Sequence, residues 1–342
     1  MKGRPLTIAA LSCFVVFIIT GTTYWWRTAD NNGDHRSISS LLAPLAPACP
    51  TVTATSSSKS AASGDLFQID KKVAAIVETR PVRTLIPLIL HFASVLGPDW
   101  PILFFTRAST LSALSAFGHS SIPFKRMVAS GQIKIIELPT EPWLGNYLGI
   151  SHFLASKWFW DKMESAEYML NFQTDSILCA NSGRQVEDYF DYDFIGAYHP
   201  WVPGAYNGGL SLRNVALARK VVSMYNISDD VAEGTKDGWY EDVWFCNKMK
   251  GLGGRFPTLE VASEFSVDLI WAERPLGFHG INKTVQIDRE AQIYEWCPEA
   301  ALGAGSGELV QLNEDEKNSW PLVEDGVTEG GKHLPFPFGK DT

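Results

Sequence analysis

Residues Glu167–Cys179 read EYMLNFQTDSILC, an apolar run that ends abruptly at Gln173-Thr174-Asp175. Tyr168 to Phe172 has the continuous apolar character of a strand covered on both faces. Asp175 then falls at the carboxyl end of that strand, where open α/β sheets bind ligands. A single acid there is poorly placed for packing and well placed to hold a metal or a diphosphate.

The segments before it supply the rest of a parallel sheet. Val73 to Thr79 (VAAIVET), Pro101 to Thr106 (PILFFT) and Gln132 to Leu138 (QIKIIEL) read as strands. Between them lie a helical stretch from Pro81, closed by Gly97-Pro98 and with Pro87 as an expected kink, and polar helices across Ser109 to Ser130. This β-α-β-α-β order predicts a parallel sheet with helices on its faces. Tyr147 to Met163 reads as one helix, with Ile150, Phe153, Leu154, Trp158 and Phe159 on a core-facing side.

Beyond the strand, Tyr189 to Ala197 (YFDYDFIGA) reads as a further strand with Asp191 and Asp193 at its start. Tyr206 to Asn214 (YNGGLSLRN) places Gly208-Gly209 before a helix capped by Asn214, a pattern that suits either close backbone approach to a ligand or a tight turn. Glu241-Asp242 opens another helix, where acids also complement the helix dipole. His279 stands between Phe278 and Gly280, in a loop able to approach a metal or phosphate.

The chain of 342 residues is 45% hydrophobic and 20% charged, enough for a sizeable core. A net charge of −9 and a pI near 5.3 argue against general nucleic-acid binding and leave room for a local basic pocket that takes a phosphorylated ligand. The N-terminal run from Leu6 to Tyr24 is uncharged and mostly apolar, follows Lys2 and Arg4, and ends in Trp25-Trp26-Arg27. That is the pattern of a membrane anchor with a cytosolic N-terminus, favoured over a cleaved signal peptide because the bulky Tyr24-Trp25-Trp26 end does not suit cleavage. Residues from Thr28 to about Ser63 are rich in Ser, Thr, Ala and Pro and read as a flexible stem. The expected layout is therefore a tip and anchor over 1–27, a stem over 28–70, a catalytic domain over 71–300 and an acidic tail over 301–342. Sequons at Asn226-Ile227-Ser228 and Asn282-Lys283-Thr284 agree with a lumenal domain. The five cysteines, Cys13, Cys49, Cys179, Cys246 and Cys297, lack zinc-site spacing. They leave two readings open, one bridge between Cys179 and Cys246 or buried free thiols.

Taken in order, VETRP (Val77–Pro81), NFQTDSILC, YDFIGA, YNGGLSLR, EDVWFC and GFHG resemble the motif series of GT-A-type glycosyltransferases. More closely, residues 70 to 285 or so resemble a largely fungal family of GT-A-like proteins that carries a domain-of-unknown-function label. The resemblance implies a single GT-A-like, Rossmann-like domain with a mostly parallel central sheet, acting as a hexosyltransferase-like enzyme. It would be a type II membrane protein of the Golgi or ER with its catalytic domain in the lumen. Its donor would be a nucleotide sugar, UDP-linked by analogy, and its acceptor a glycan, glycoprotein or glycolipid. Asp175 matches the last acid of the Asp-x-Asp motif and His279 the late histidine, so both would ligate Mn²⁺ or Mg²⁺. Gln173 stands where the first acid usually does, which lowers the expected affinity for the cation by one charge. Thr79 and Arg80 would meet the nucleotide. Gln173, Thr174, Asn207, Gly208, Gly209 and Arg213 would line the donor or acceptor. Asp242, or Glu241, would be the base of an inverting displacement. A non-catalytic lumenal sugar- or nucleotide-binding protein is the competing reading, kept alive by Gln173. A nucleotidyltransferase would want a glycine-rich phosphate loop after the first strand, which VETRP lacks.

Overall fold

Alternation along the buried strands assigns each side chain to one of two cores. In β1 (Lys72–Val77), Ala74 and Ile76 face one side, and Val73 and Ala75 the other. β2 (Ile102–Thr106) sends Ile102 and Phe104 to the first core and Leu103 and Phe105 to the second. This period of two, with apolar residues at nearly every position, is what a sheet sandwiched between helices requires. The computed structural model describes residues 66–116, 121–138, 144, 147–163, 165–281 and 287–304. The apolar run at 6–24, the stem to about 63, the sequon at Asn282 and the acidic tail beyond 304 lie outside those residues. Among the described residues, no helix is long and apolar enough to cross a membrane.

After β1 come α1 (Leu85–Leu96), β2, α2 (Ala108–Ala116), α3 (Ile122–Ala129) and β3 (Ile133–Glu137). Next are α4 (Tyr147–Leu154), α5 (Lys157–Asp161), β4 (Tyr168–Phe172) and β5 (Ser176–Leu178). β6 (Phe194–Tyr198) and β7 (Tyr206–Asn214) precede α6 (Val215–Met224), α7 (Ile227–Ala232) and α8 (Glu241–Gly251). The chain closes through α9 (Leu259–Phe265), β8 (Ser266–Val267), β9 (Gly277–His279), α10 (Glu290–Trp296) and α11 (Ala301–Ala304). Six strands form the main sheet in the order β3-β2-β1-β4-β7-β6. β1 to β4 run parallel, and β7 and β6 are antiparallel additions on the far edge. The α/β class with a mostly parallel central sheet is therefore present. A second sheet, β5-β9-β8, is small.

Several expectations need correction. The first helix begins at Leu85 rather than Pro81, because Val82 and Leu85 amides bond the carbonyls of Arg80 and Val82 in tight turns. Pro87 then falls in the first turn, where its missing N–H has no intrahelical partner to lose, so it introduces no break. The single helix expected over 147–163 is two, because Ser156 caps α5 by accepting from the Phe159 amide at 3.2 Å. β6 starts only at Phe194. Before it, Val186–Tyr189 forms a 3₁₀ turn, and Asp193 holds the Arg255 amide at 2.8 Å and the Asn214 side chain at 3.0 Å. YNGGLSLRN is a nine-residue strand rather than a turn, with Leu210 and Leu212 in the first core, although Asn214 does cap the helix that follows.

The expected Cys179–Cys246 bridge is also corrected. Cys179 pairs with Cys297 across 118 residues, at a Cα separation of 5.0 Å. Cys246 is a buried free thiol. The sheet keeps them apart, since Cys179 packs in the first core with Cys297 while Cys246 sits in the second. A bridge closing so long a loop contributes about 2–4 kcal/mol. Cys297→Ser should therefore lower Tm by roughly 5–15 °C in thermal melts, and reductant should reproduce the shift in the parent protein but not in the variant.

Candidate functional site

The sheet order places the chain's reversal between β1 and β4, since the polypeptide leaves β1 toward β2 and β3 and returns to β1's other side. Ligands bind outside the carboxyl ends of strands at such a point. There, after β1, lie Glu78, Thr79 and Arg80, and after β4, Gln173, Thr174 and Asp175. Glu78 is buried, and its Oε1 accepts from the Arg80 amide (2.8 Å) and Nε (3.0 Å). Glu78 Oε2 accepts from Arg80 Nη2 at 2.8 Å and from Thr174 Oγ1 at 3.4 Å, joining the two loops. The Arg80 guanidinium, 56% exposed, is raised above its ordinary value by its bond to Glu78, against burial, with the charges of Glu78 and Asp175 adding to the rise. The fork is thus held at the ligand end of the sheet. The Thr79 carbonyl accepts from Thr110 Oγ1 at 2.6 Å.

The small sheet delivers the histidine. β5 pairs with β9 so that Ser176 lies opposite His279, and the Gly280 amide donates to the Asp175 carbonyl at 2.9 Å. His279 Nε2 lies 3.5 Å from Asp175 Oδ1 and 3.3 Å from Gln173 Oε1, and its Nδ1 lies 3.3 Å from Asp268 Oδ2. Burial alone would lower the imidazole's affinity for protons. The bonds and charges of Asp175 and Asp268 outweigh it and raise the value to about 9. Since this exceeds the ordinary 6.5 or so, the stabilisation is fully present below pH 6.5 and is lost as pH rises through about 9. In chelator, the protein should lose on the order of 3 kcal/mol across that window. Denaturant titrations would show this slope in the parent and a flattened one in His279→Gln. Equal slopes would exclude it.

The same side chains fit a divalent cation. Asp175 Oδ1, Gln173 Oε1 and His279 Nε2 converge as two oxygens and one imidazole nitrogen, a donor set suited to Mn²⁺ or Mg²⁺. Asp268 orients the imidazole from its other nitrogen, as carboxylates behind ligating histidines do. Among the described residues, no three His, Cys, Asp or Glu gather into a ready-made metal cage.

The other half of the site hangs on β7 and the start of α8. Arg213 is fully buried, with Nη1 and Nη2 donating to Glu241 Oε2 and Oε1 at 2.7 and 2.9 Å. Its guanidinium lies over Phe194 and Phe245, at 4.8 and 5.6 Å from the ring centroids. Burial pushes the Glu241 carboxyl up, and Arg213 pulls it back. Asp242 is less buried. Its Oδ2 accepts from the Gly208 amide and its Oδ1 from the Val243 amide, each at 2.8 Å. The Gly208 carbonyl in turn accepts from Asn171 Nδ2 and Ser211 Oγ, and the Gly209 amide donates to Asn207 Oδ1 at 2.7 Å.

Gly208 and Gly209 bind the halves together. A Cβ on Gly208 would come within 2.9 Å of the Arg213–Glu241 pair and of Asp242. One on Gly209 would reach 2.1 Å from His279 Nε2 and 2.8 Å from Gln173 Oε1. Between them opens a cavity of about 220 Å³, lined by Gln173, Asn207, Gly208, Gly209, Glu241, Asp242 and His279, and by Tyr147, Ile150, Ser151, Leu154 and Tyr240.

Most residues singled out in the sequence thus meet in one place. Gln173, Asn207, Gly208, Gly209, Glu241, Asp242 and His279 share the cavity wall, with Asp175 beside His279 and Thr79, Arg80 and Thr174 at the adjoining strand ends. Arg213 is the exception: expected to contact donor or acceptor, it is spent on Glu241 and does not line the cavity. Sequence reading missed Glu78, Asp268, Tyr147 and Tyr240. Glu78 stood inside the VETRP motif and could have been found there, whereas Asp268, in a plain SVDLIW context, carries no local signal.

Residues 132–279, from the edge of β3 to His279, match a family described as a protein of unknown function (DUF5672). No curated protein matches the chain. Among solved structures, the apo-form glycosyltransferase GlyE of Streptococcus pneumoniae TIGR4 is similar at TM-score 0.41 and 12% identity, over 66% of this chain. The chain spans 60% of that protein's length. The galactosyltransferase LgtC in complex with donor and acceptor sugar analogs is similar at TM-score 0.43 and 13% identity, over 72% of this chain and 99% of that one. An active-site mutant of LgtC gives TM-score 0.39 with the same identity and coverage. Each likeness is distant in sequence.

Proposed function

We propose that this domain transfers a sugar from a nucleotide-sugar donor to a hydroxyl of a glycan, glycoprotein or glycolipid acceptor. The observation that carries the reading is the two-sided cavity: Gln173 and His279 on one wall, with Asp175 beside His279, the Asp242 carboxylate on the other, and the Gly208-Gly209 backbone between them. The diphosphate lies at the ends of β1 and β4, where Arg80, fixed by Glu78, faces its charge. Gln173, Asp175 and His279 would hold Mn²⁺ or Mg²⁺, which when bound would stabilise negative charge on the departing diphosphate. Gly208 and Gly209 let the sugar ring approach the backbone. The acceptor oxygen bonds the anomeric carbon from the opposite side, the bond to the diphosphate oxygen breaks with its electron pair, and the acceptor proton passes to Asp242. That geometry inverts the anomeric centre.

Location follows from the same reading. The Cys179–Cys297 bridge suits an oxidising compartment, and Asn226 is exposed, with Oδ1 accepting from the Ser228 amide at 3.0 Å. Both support a lumenal compartment; the Golgi or ER type II topology, with 1–27 as tip and anchor, 28–70 as stem, 71–300 as catalytic domain and 301–342 as tail, is proposed from the sequence pattern.

The deciding experiment is a panel of nucleotide sugars incubated with and without Mn²⁺, read as donor hydrolysis and as transfer to glycan acceptors. Turnover of one donor, dependent on cation and abolished in Asp175→Ala, supports the reading. Binding of a donor with no turnover would favour a non-catalytic sugar- or nucleotide-binding protein, the alternative that Gln173 in place of a first carboxylate supports. Product with retained anomeric configuration would exclude Asp242 as the base.

A further inference from the structure

We infer that the stacked Tyr147–Tyr240 pair presents an outer aromatic face as a platform on which a pyranose ring of the acceptor lies face-down, on the wall of the cavity that Asp242 also lines. This deepens the transferase reading and rests on it. The two rings stack with centroids 5.5 Å apart and planes 20° apart, and each residue is 53% exposed. Neither belongs to either hydrophobic core. Large aromatic surface kept out of the core, yet lining a cavity, marks recognition rather than packing.

The position is specific. Tyr240 is the residue immediately before Glu241-Asp242, in extended conformation at the start of α8, so one short run of backbone fixes both platform and base. Tyr147 opens α4, whose Ser151 Oγ accepts from the Glu241 amide at 3.3 Å, and so ties the second ring to the same point. The cavity volume of about 220 Å³ falls below the roughly 300–1,000 Å³ usual for drug-sized ligands and suits one ring at a time.

The chemistry of a stacked pair selects the ligand. An aromatic face is electron-rich and attracts the weakly positive C–H groups of one pyranose face, while the ring hydroxyls stay at the edge in water. A β-glucopyranoside offers axial hydrogens at C1, C3 and C5 on a single face. In its α-anomer an axial oxygen interrupts that face. The platform therefore favours β-linked hexopyranosides with an unbroken C–H face.

Saturation-transfer NMR on the full chain in detergent tests this with methyl β-D-glucopyranoside as probe. Saturation should concentrate on H1, H3 and H5, and the α-anomer should bind more weakly. Tyr147→Ala and Tyr240→Ala should each weaken binding about tenfold, while Tyr240→Phe, which keeps the face, should stay within about twofold. Saturation spread evenly around the ring, alanine variants that bind like the parent, or a Phe variant as weak as alanine would each overturn the platform. Binding is read without turnover. Pyranoside binding in a chain that hydrolyses no donor would thus overturn the transferase reading and leave the platform standing. Donor hydrolysis without pyranoside binding would overturn the platform alone. In a turning-over enzyme, Tyr240→Ala should raise the acceptor KM by a larger factor than it lowers kcat.

Discussion

Asp242→Asn should lower kcat for transfer by about 10²–10⁴-fold, the range supplied by a positioned general base. The substitution keeps the side chain's size and one acceptor oxygen. Asp242 holds the Gly208 and Val243 amides with separate oxygens, so the amide form retains one of these bonds and loses the other. One such bond is worth about 1 kcal/mol, and Tm should fall by no more than about 4 °C. Donor binding, which depends on the opposite wall, should be preserved in calorimetric titration. Activity within about twofold of the parent would remove Asp242 from the chemistry.

The neighbouring acid should behave in the opposite way. Glu241→Gln leaves the fully buried Arg213 guanidinium without its counter-charge, and breaking a buried pair from one side costs about 3–5 kcal/mol. Against a typical total of about 5–15 kcal/mol, that is a large fraction of the domain's stability. Denaturant unfolding should show it directly. The pair Arg213→Met with Glu241→Leu, which removes both charges and packs against Phe194 and Phe245, should recover most of the loss. A Glu241→Gln protein as stable as the parent would mean that the ion pair contributes nothing. The two adjacent carboxylates thus separate by readout: one carries rate, the other stability.

The parallel half of the sheet was legible because each of its buried strands is a short continuous apolar run closed by polar or turn residues, as in Tyr168–Phe172 before Gln173. The position of Asp175 at a strand's carboxyl end followed from the same pattern, whereas Thr79 and Arg80 were singled out by motif order. β7 was not legible as a strand. Its paired glycines and Arg213 imitate a turn, and the burial of Arg213 makes sense only beside Glu241, 28 residues later. The meeting of Gln173 with His279 spans 106 residues and came from motif order rather than any local pattern. The disulfide depends on which face of the sheet each cysteine occupies, a property that sequence spacing does not carry.

The long Cys179–Cys297 loop also has a consequence for biogenesis. At about 5–20 residues per second, the Cys179 thiol waits on the order of ten seconds for its partner to be made, and Cys246 arrives first. A folding chain therefore meets the wrong thiol before the right one. Once the sheet has formed, Cys246 is buried on the opposite face from Cys179 and Cys297, so the native fold itself is incompatible with the wrong pairing.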